Sequence, residues 1–90
     1  TVPGTFWIGQ NYPNPFNPTT TIRYGLPKAA RVELALYDPT GRRVAVLVDE
    51  DQAAGVQEVT LRADNLPSGV YFYRLVAGDF RETRKLVLLK

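Results

Sequence analysis

Ninety residues, a formal net charge of +2 and 44% hydrophobic side chains describe one folded domain. Such a chain is too weakly charged for a nucleic-acid binder and too apolar for a disordered tail. It holds no cysteine, histidine or methionine, so it has no disulfide framework and lacks the side chains that most often act as nucleophile or general base.

Thr1 to Thr5, with Pro3 and Gly4, reads as the cut end of an interdomain linker. Residues 1–10 are assigned to that linker and 11–90 to the domain, so the chain is expected to be a module of a longer protein. No apolar run approaches the ~20 residues that cross a bilayer, and no signal-peptide pattern stands at Thr1. Asn11 to Thr19 carries Pro13, Pro15 and Pro18, which fix φ, remove donors and forbid an ordinary helix or central strand. Tyr12 and Phe16 are expected to act as pegs that dock this stiff strap onto one end of a β domain. Asn17-Pro18-Thr19 is no glycosylation acceptor, because proline occupies its middle position.

The rest alternates with the period of a strand. Thr20 to Leu26 puts Ile22, Tyr24 and Leu26 on one face, and Arg31 to Tyr37 does the same with Val32, Leu34 and Leu36. Asp38-Pro39-Thr40-Gly41 is a turn signature. Arg43 to Val48 is apolar on both faces, Val44, Val46 and Val48 against Ala45 and Leu47, which predicts cover on both sides or a clamped edge. Asp49 to Gly55 reads as a polar, acidic loop. Val56 to Leu61 returns as a strand with Val59 and Leu61 inward and Glu58, Thr60 and Arg62 outward. After the turn-rich Asp64 to Gly69, Val70 to Ala77 points Tyr71, Tyr73 and Leu75 into the core. Gly78-Asp79 is a two-residue hairpin connection, which makes Phe80 to Leu89 the antiparallel partner. Six or seven short strands at regular spacing predict an all-β sandwich without helix.

No constellation carries catalysis. Ser68, the only serine, sits between Pro67 and Gly69 as a turn residue. Asp49, Glu50 and Asp51 cluster, but their spacing matches no calcium loop, and a solvated loop explains them better. No cofactor or metal site is expected and the chain is not read as an enzyme. The aromatics weigh more: Tyr24, Tyr71 and Tyr73 fit the core, whereas Phe72 shares a face with Arg74. Phe72 and Trp7 could therefore form a sugar-stacking platform, which makes a carbohydrate-binding module appended to a glycoside hydrolase the alternative function. The C-terminal stretch is basic, with Arg81, Arg84, Lys85 and Lys90 against Glu82. It reads equally as a solvated strand or as a recognition strand whose edge accepts a partner by strand addition.

Four ordered motifs carry a resemblance: Asn11 to Thr20, with Asn14-Pro15-Phe16-Asn17-Pro18 at its heart; Tyr37-Asp38 with Gly41-Arg42; Leu66 to Leu75, containing Gly69, Tyr71 and Tyr73; and Lys85-Leu86-Val87-Leu88-Leu89-Lys90. Together they resemble the type A C-terminal sorting domain of the type IX secretion system of Bacteroidetes-like bacteria, and are similar to the immunoglobulin-like domain of flagellar hook-capping proteins. The resemblance implies an immunoglobulin-like antiparallel sandwich that directs a cargo, fused upstream, across the outer membrane to surface attachment or release. It implies the outer-membrane translocon and the attachment machinery as partners. By position, Lys85, Leu86, Val87, Leu88, Leu89 and Lys90 correspond to the recognition stretch, and Asn14 to Pro18, Gly41, Gly69, Tyr71 and Tyr73 to the structural signature.

Overall fold

Seven strands build the computed structural model, which describes residues 2–89: β1 (Trp7–Ile8), β2 (Thr19–Leu26), β3 (Ala30–Tyr37), β4 (Arg43–Gln52), β5 (Gly55–Arg62), β6 (Gly69–Ala77) and β7 (Phe80–Leu88). They divide into two sheets, β1-β2-β5 and β4-β3-β6-β7, and every strand pair is antiparallel. The expected all-β sandwich is the fold, and no helix occurs among the described residues.

The two sheets meet through their alternate residues. Ile22, Tyr24 and Leu26 face Val32, Leu34, Leu36, Tyr71, Tyr73 and Leu75, all buried, so the predicted phase of β2, β3 and β6 is the observed one. In β5, Leu61 is buried and Val59 packs against the core, while Glu58, Thr60 and Arg62 are exposed. Ala77 pairs with Phe80 across Gly78, whose φ of +59° suits the tight hairpin. At the β3–β4 turn the Asp38 carboxylate accepts from the Thr40 hydroxyl (2.6 Å), the Thr40 N–H and the Arg42 N–H. The Thr40 bond, foremost, holds this carboxyl below the usual range.

Three expectations change. First, β4 is an edge strand, as one reading of its two apolar faces allowed, but its alternation breaks. Leu34 pairs with Val48 and Ala35 with Val46, then Leu36 with Ala45 and Tyr37 with Arg43, so Leu47 and Val44 bulge. Val46 is left exposed, while Val44, Ala45, Leu47 and Val48 pack against the core. Second, the acidic loop is strand as far as Gln52, and only Ala53-Ala54 separates β4 from β5. Arg31 on β3 binds Asp49 at 2.7 Å and lies 3.9 Å from Asp51, offsetting the repulsion that made this run read as a loop. Third, residues ahead of Asn11 belong to the sandwich. Ile8 is buried opposite Tyr24, and Phe6 stacks on Phe80 at 5.5 Å, so residues 6–9 pack against the sandwich.

Trp7 pairs with Gly25 on the outer face of the three-stranded sheet, and its indole occupies the space of the missing side chain. A Cβ on Gly25 would collide with the indole nitrogen. Gly25→Ala should therefore expel the only tryptophan into solvent, red-shift its emission, and destabilise the fold by about 1–3 kcal/mol in a denaturant melt. An unchanged spectrum and midpoint would show that the indole does not depend on this glycine.

Candidate recognition surface

The last strand lies at an edge of the four-stranded sheet, yet its rim is occupied. Residues 8–16 run along it. The Gln10 side-chain amide donates to the Lys85 carbonyl (2.7 Å), and the Val87 N–H donates to the Asn14 side-chain oxygen (3.0 Å). Phe16 then forms a parallel bridge with Leu88: its N–H donates to the Val87 carbonyl (3.1 Å), and the Leu89 N–H donates to its carbonyl (2.9 Å). Phe16 itself is buried against Leu86 and Leu88 in the common core. The strap therefore completes β7 as a further strand would. Strand addition at residues 85–89, one of the two sequence readings, has no free edge to use there.

Tyr73 fastens the same strap from within. Its hydroxyl donates to the Gly9 carbonyl (2.7 Å) and accepts from the Asn11 N–H (2.9 Å). The buried Asn11 side chain reaches the Thr20 hydroxyl and the Pro13 carbonyl. Arg84 does not project into solvent as the basic tail suggested. Its guanidinium donates to the Ile8 carbonyl (2.9 Å) and pairs with Glu82 (2.8 Å), bridging the two sheets. Of the two expected pegs only Phe16 docks, because Tyr12 is 81% exposed.

The six C-terminal residues divide by face. Leu86 and Leu88 are fully buried, whereas Lys85 and Leu89 are exposed and Val87 is half-buried on the outer side. Lys90 lies outside the described residues. On β6, Val70 stands opposite Val87 and Phe72 opposite Lys85, so the outer face combines Val70, Phe72, Lys85, Val87 and Leu89. Beyond Phe72, Arg74 covers the Tyr37 ring at 5.0 Å and donates to the Tyr37 hydroxyl (2.9 Å). The sequence placed Phe72 on this outer face with Arg74 but did not set it or Val70 beside the C-terminal stretch, since only pairing register joins them to β7.

The signature residues have structural work of different kinds. Gly41 and Gly69 adopt φ of +90° and +150°, which favour glycine. The Tyr71 hydroxyl donates to the Pro67 carbonyl (2.6 Å), locking the corner before β6. The Pro18 carbonyl accepts from the Ala63 N–H (2.8 Å), while Pro15 and Asn17 are exposed. The sugar platform built from Phe72 and Trp7 does not form. Trp7 lies on the outer face of one sheet and Phe72 on the outer face of the other. Among the described residues no group of three or more acidic side chains is placed to hold a metal ion.

The family model described as the secretion system C-terminal sorting domain matches residues 10–89, nearly the whole sandwich. The chain belongs to that family. No curated protein matches it. As a sorting domain of type IX secretion, it is a signal for passage across the outer membrane, and its partner is the type IX machinery. The match begins at the strap, so β1 and Phe6 extend the sorting domain's packing ahead of it.

Burial pushes the phenols of Tyr73 and Tyr24 above their usual value of 10.0. A raised folded pKa means that their contribution is fully present below about pH 10 and is lost as pH rises through the folded value. The sorting domain should therefore hold a constant denaturation midpoint from about pH 8 to about pH 9.5 and weaken above that. Tyr73→Phe should reduce stability at neutral pH by about 1–3 kcal/mol, because the buried Asn11 N–H loses its acceptor. A neutral-pH loss indistinguishable from zero would show that the hydroxyl does not fasten the strap.

Proposed function

We propose that this sorting domain directs a cargo protein joined to its N-terminal side through the outer membrane to surface attachment, and that the translocon reads the outer face of β6 and β7. Lys85, Val87 and Leu89 supply that face with Val70 and Phe72, while Leu86 and Leu88 serve the fold. The observation that carries this reading is the division of the terminal residues: the strap seals their backbone and the core takes two leucines. The outward side chains are what a partner can meet. A cation beside apolar side chains on a firm sheet suits an interface with an apolar centre and a polar rim. The domain contributes no chemistry of its own in this account; any cleavage and attachment belong to the machinery.

Deleting residues 86–90 would remove two buried leucines with the signal, so loss of export by that variant would report unfolding as readily as recognition. Outer-face substitutions separate the two. A reporter fused ahead of the chain, expressed in a bacterium with type IX secretion, should remain periplasmic when Lys85→Glu and Leu89→Asp are combined. The thermal midpoint should stay within a few degrees of the parent, as expected for exposed positions. Undiminished export by the folded double variant would contradict the assignment of this face.

A further inference from the structure

The outer face of the three-stranded sheet carries a groove of about 510 Å³ that recognition by β6 and β7 leaves unused. Its walls are two aromatic rings fixed on the same strand. Trp7 is paired with Gly25 of β2, its indole laid over the glycine. Tyr12 is held to Thr21 of β2 by two backbone hydrogen bonds of 3.0 Å, N–H to carbonyl in each direction, and its ring is 81% exposed. Gly25 and Thr21 are four residues apart, so the two anchor points stand roughly 13 Å from one another along the strand. Between them lie Arg23 and Glu58, cross-strand neighbours 3.6 Å apart, with more than half of each side chain open to solvent. Gln10 and Thr21 complete the polar lining.

Among the described residues no aliphatic side chain lines this groove; apart from Gly9, its walls are aromatic or polar. That combination selects among ligands. A peptide inserting apolar side chains would find no aliphatic pocket, and a free anion would meet Glu58 beside Arg23. A sugar ring has an apolar C–H face that packs on an aromatic ring and a rim of hydroxyls. Carboxylate and guanidinium groups satisfy those hydroxyls with charge-assisted hydrogen bonds, and an amide with neutral ones. Two aromatic walls anchored about 13 Å apart along the strand suit a chain of several sugars rather than one. We infer that the groove bounded by Trp7 and Tyr12 is a binding site for a short neutral oligosaccharide, with the rings as stacking walls and Arg23 and Glu58 as hydroxyl partners. This site is separate from the face that the translocon would read and stands or falls without it.

Trp7 is the only tryptophan, so emission reports the site directly. The 90-residue chain would be titrated with β-1,4-linked gluco- and manno-oligosaccharides, an α-1,4-linked gluco-oligosaccharide and a proline-rich peptide, following emission and backbone amide shifts. At least one oligosaccharide should shift the emission and move the amides of residues 7–12, 21–25 and 58, with a Kd of about 0.1–10 mM for so open a site. Tyr12→Ala, at an exposed ring, should weaken binding about 5–10-fold, and Glu58→Gln should weaken it without altering the fold. No response to any oligosaccharide at about 20 mM, a response insensitive to both substitutions, or binding of the peptide alone would overturn the assignment.

Discussion

The closure of the last strand by the segment ahead of β2 is the constraint on which the rest of this domain depends. A seven-stranded sandwich with its final strand at a sheet edge would present a row of unpaired backbone groups, a template for unwanted pairing. Here Gln10, Asn14 and Phe16 meet the outward backbone groups of residues 85, 87 and 89, and Tyr73 and Arg84 fasten the same segment from inside the sandwich. The beginning and end of the domain are thereby a single structural unit. Residues 85–89 therefore offer outward side chains on a closed surface, with no loose strand.

This arrangement explains why the proline-rich strap belongs to the domain. Prolines remove donors, and a strap lying on an edge must supply only selected hydrogen bonds. Phe16 contributes both its backbone groups and a buried ring, whereas Tyr12, four residues earlier, keeps its backbone on β2 and leaves its ring outside. Stability is thus shared between burial of alternating residues from both sheets and a polar seam with a fully used tyrosine hydroxyl. The Tyr73–Asn11 part of this seam is the most sensitive to loss of one partner, since the Asn11 N–H and the tyrosine hydroxyl meet in a buried position.

Much of the fold was legible because strands bury alternate residues: Ile22, Tyr24 and Leu26, like Tyr71, Tyr73 and Leu75, announce their face by period alone. Turns at Asp38 to Gly41 and at Gly78 were legible from residue chemistry. What escaped arises between strands. The bulges in β4 depend on its pairing with β3, and the strand character of Asp49 to Asp51 depends on Arg31 opposite. Within residues 85–89 the sequence did not show the division by face, in which Leu86 and Leu88 hold the core. The edge closure joins residues more than 70 positions apart and leaves no local trace. Trp7 looked like linker because two paired residues are too few to show a period.

Hydrogen exchange at single amides tests the central claim most directly. The Val87 and Leu89 N–H groups point away from β6 and are covered only by the strap. They should exchange slowly, close to the rate set by global unfolding, and Phe16→Ala should release Leu89 and Val87 well ahead of the central strands. Fast exchange of both amides in the unaltered chain, with β3 and β6 still protected, would mean that the strap does not close the edge and that the terminal strand is open to a partner.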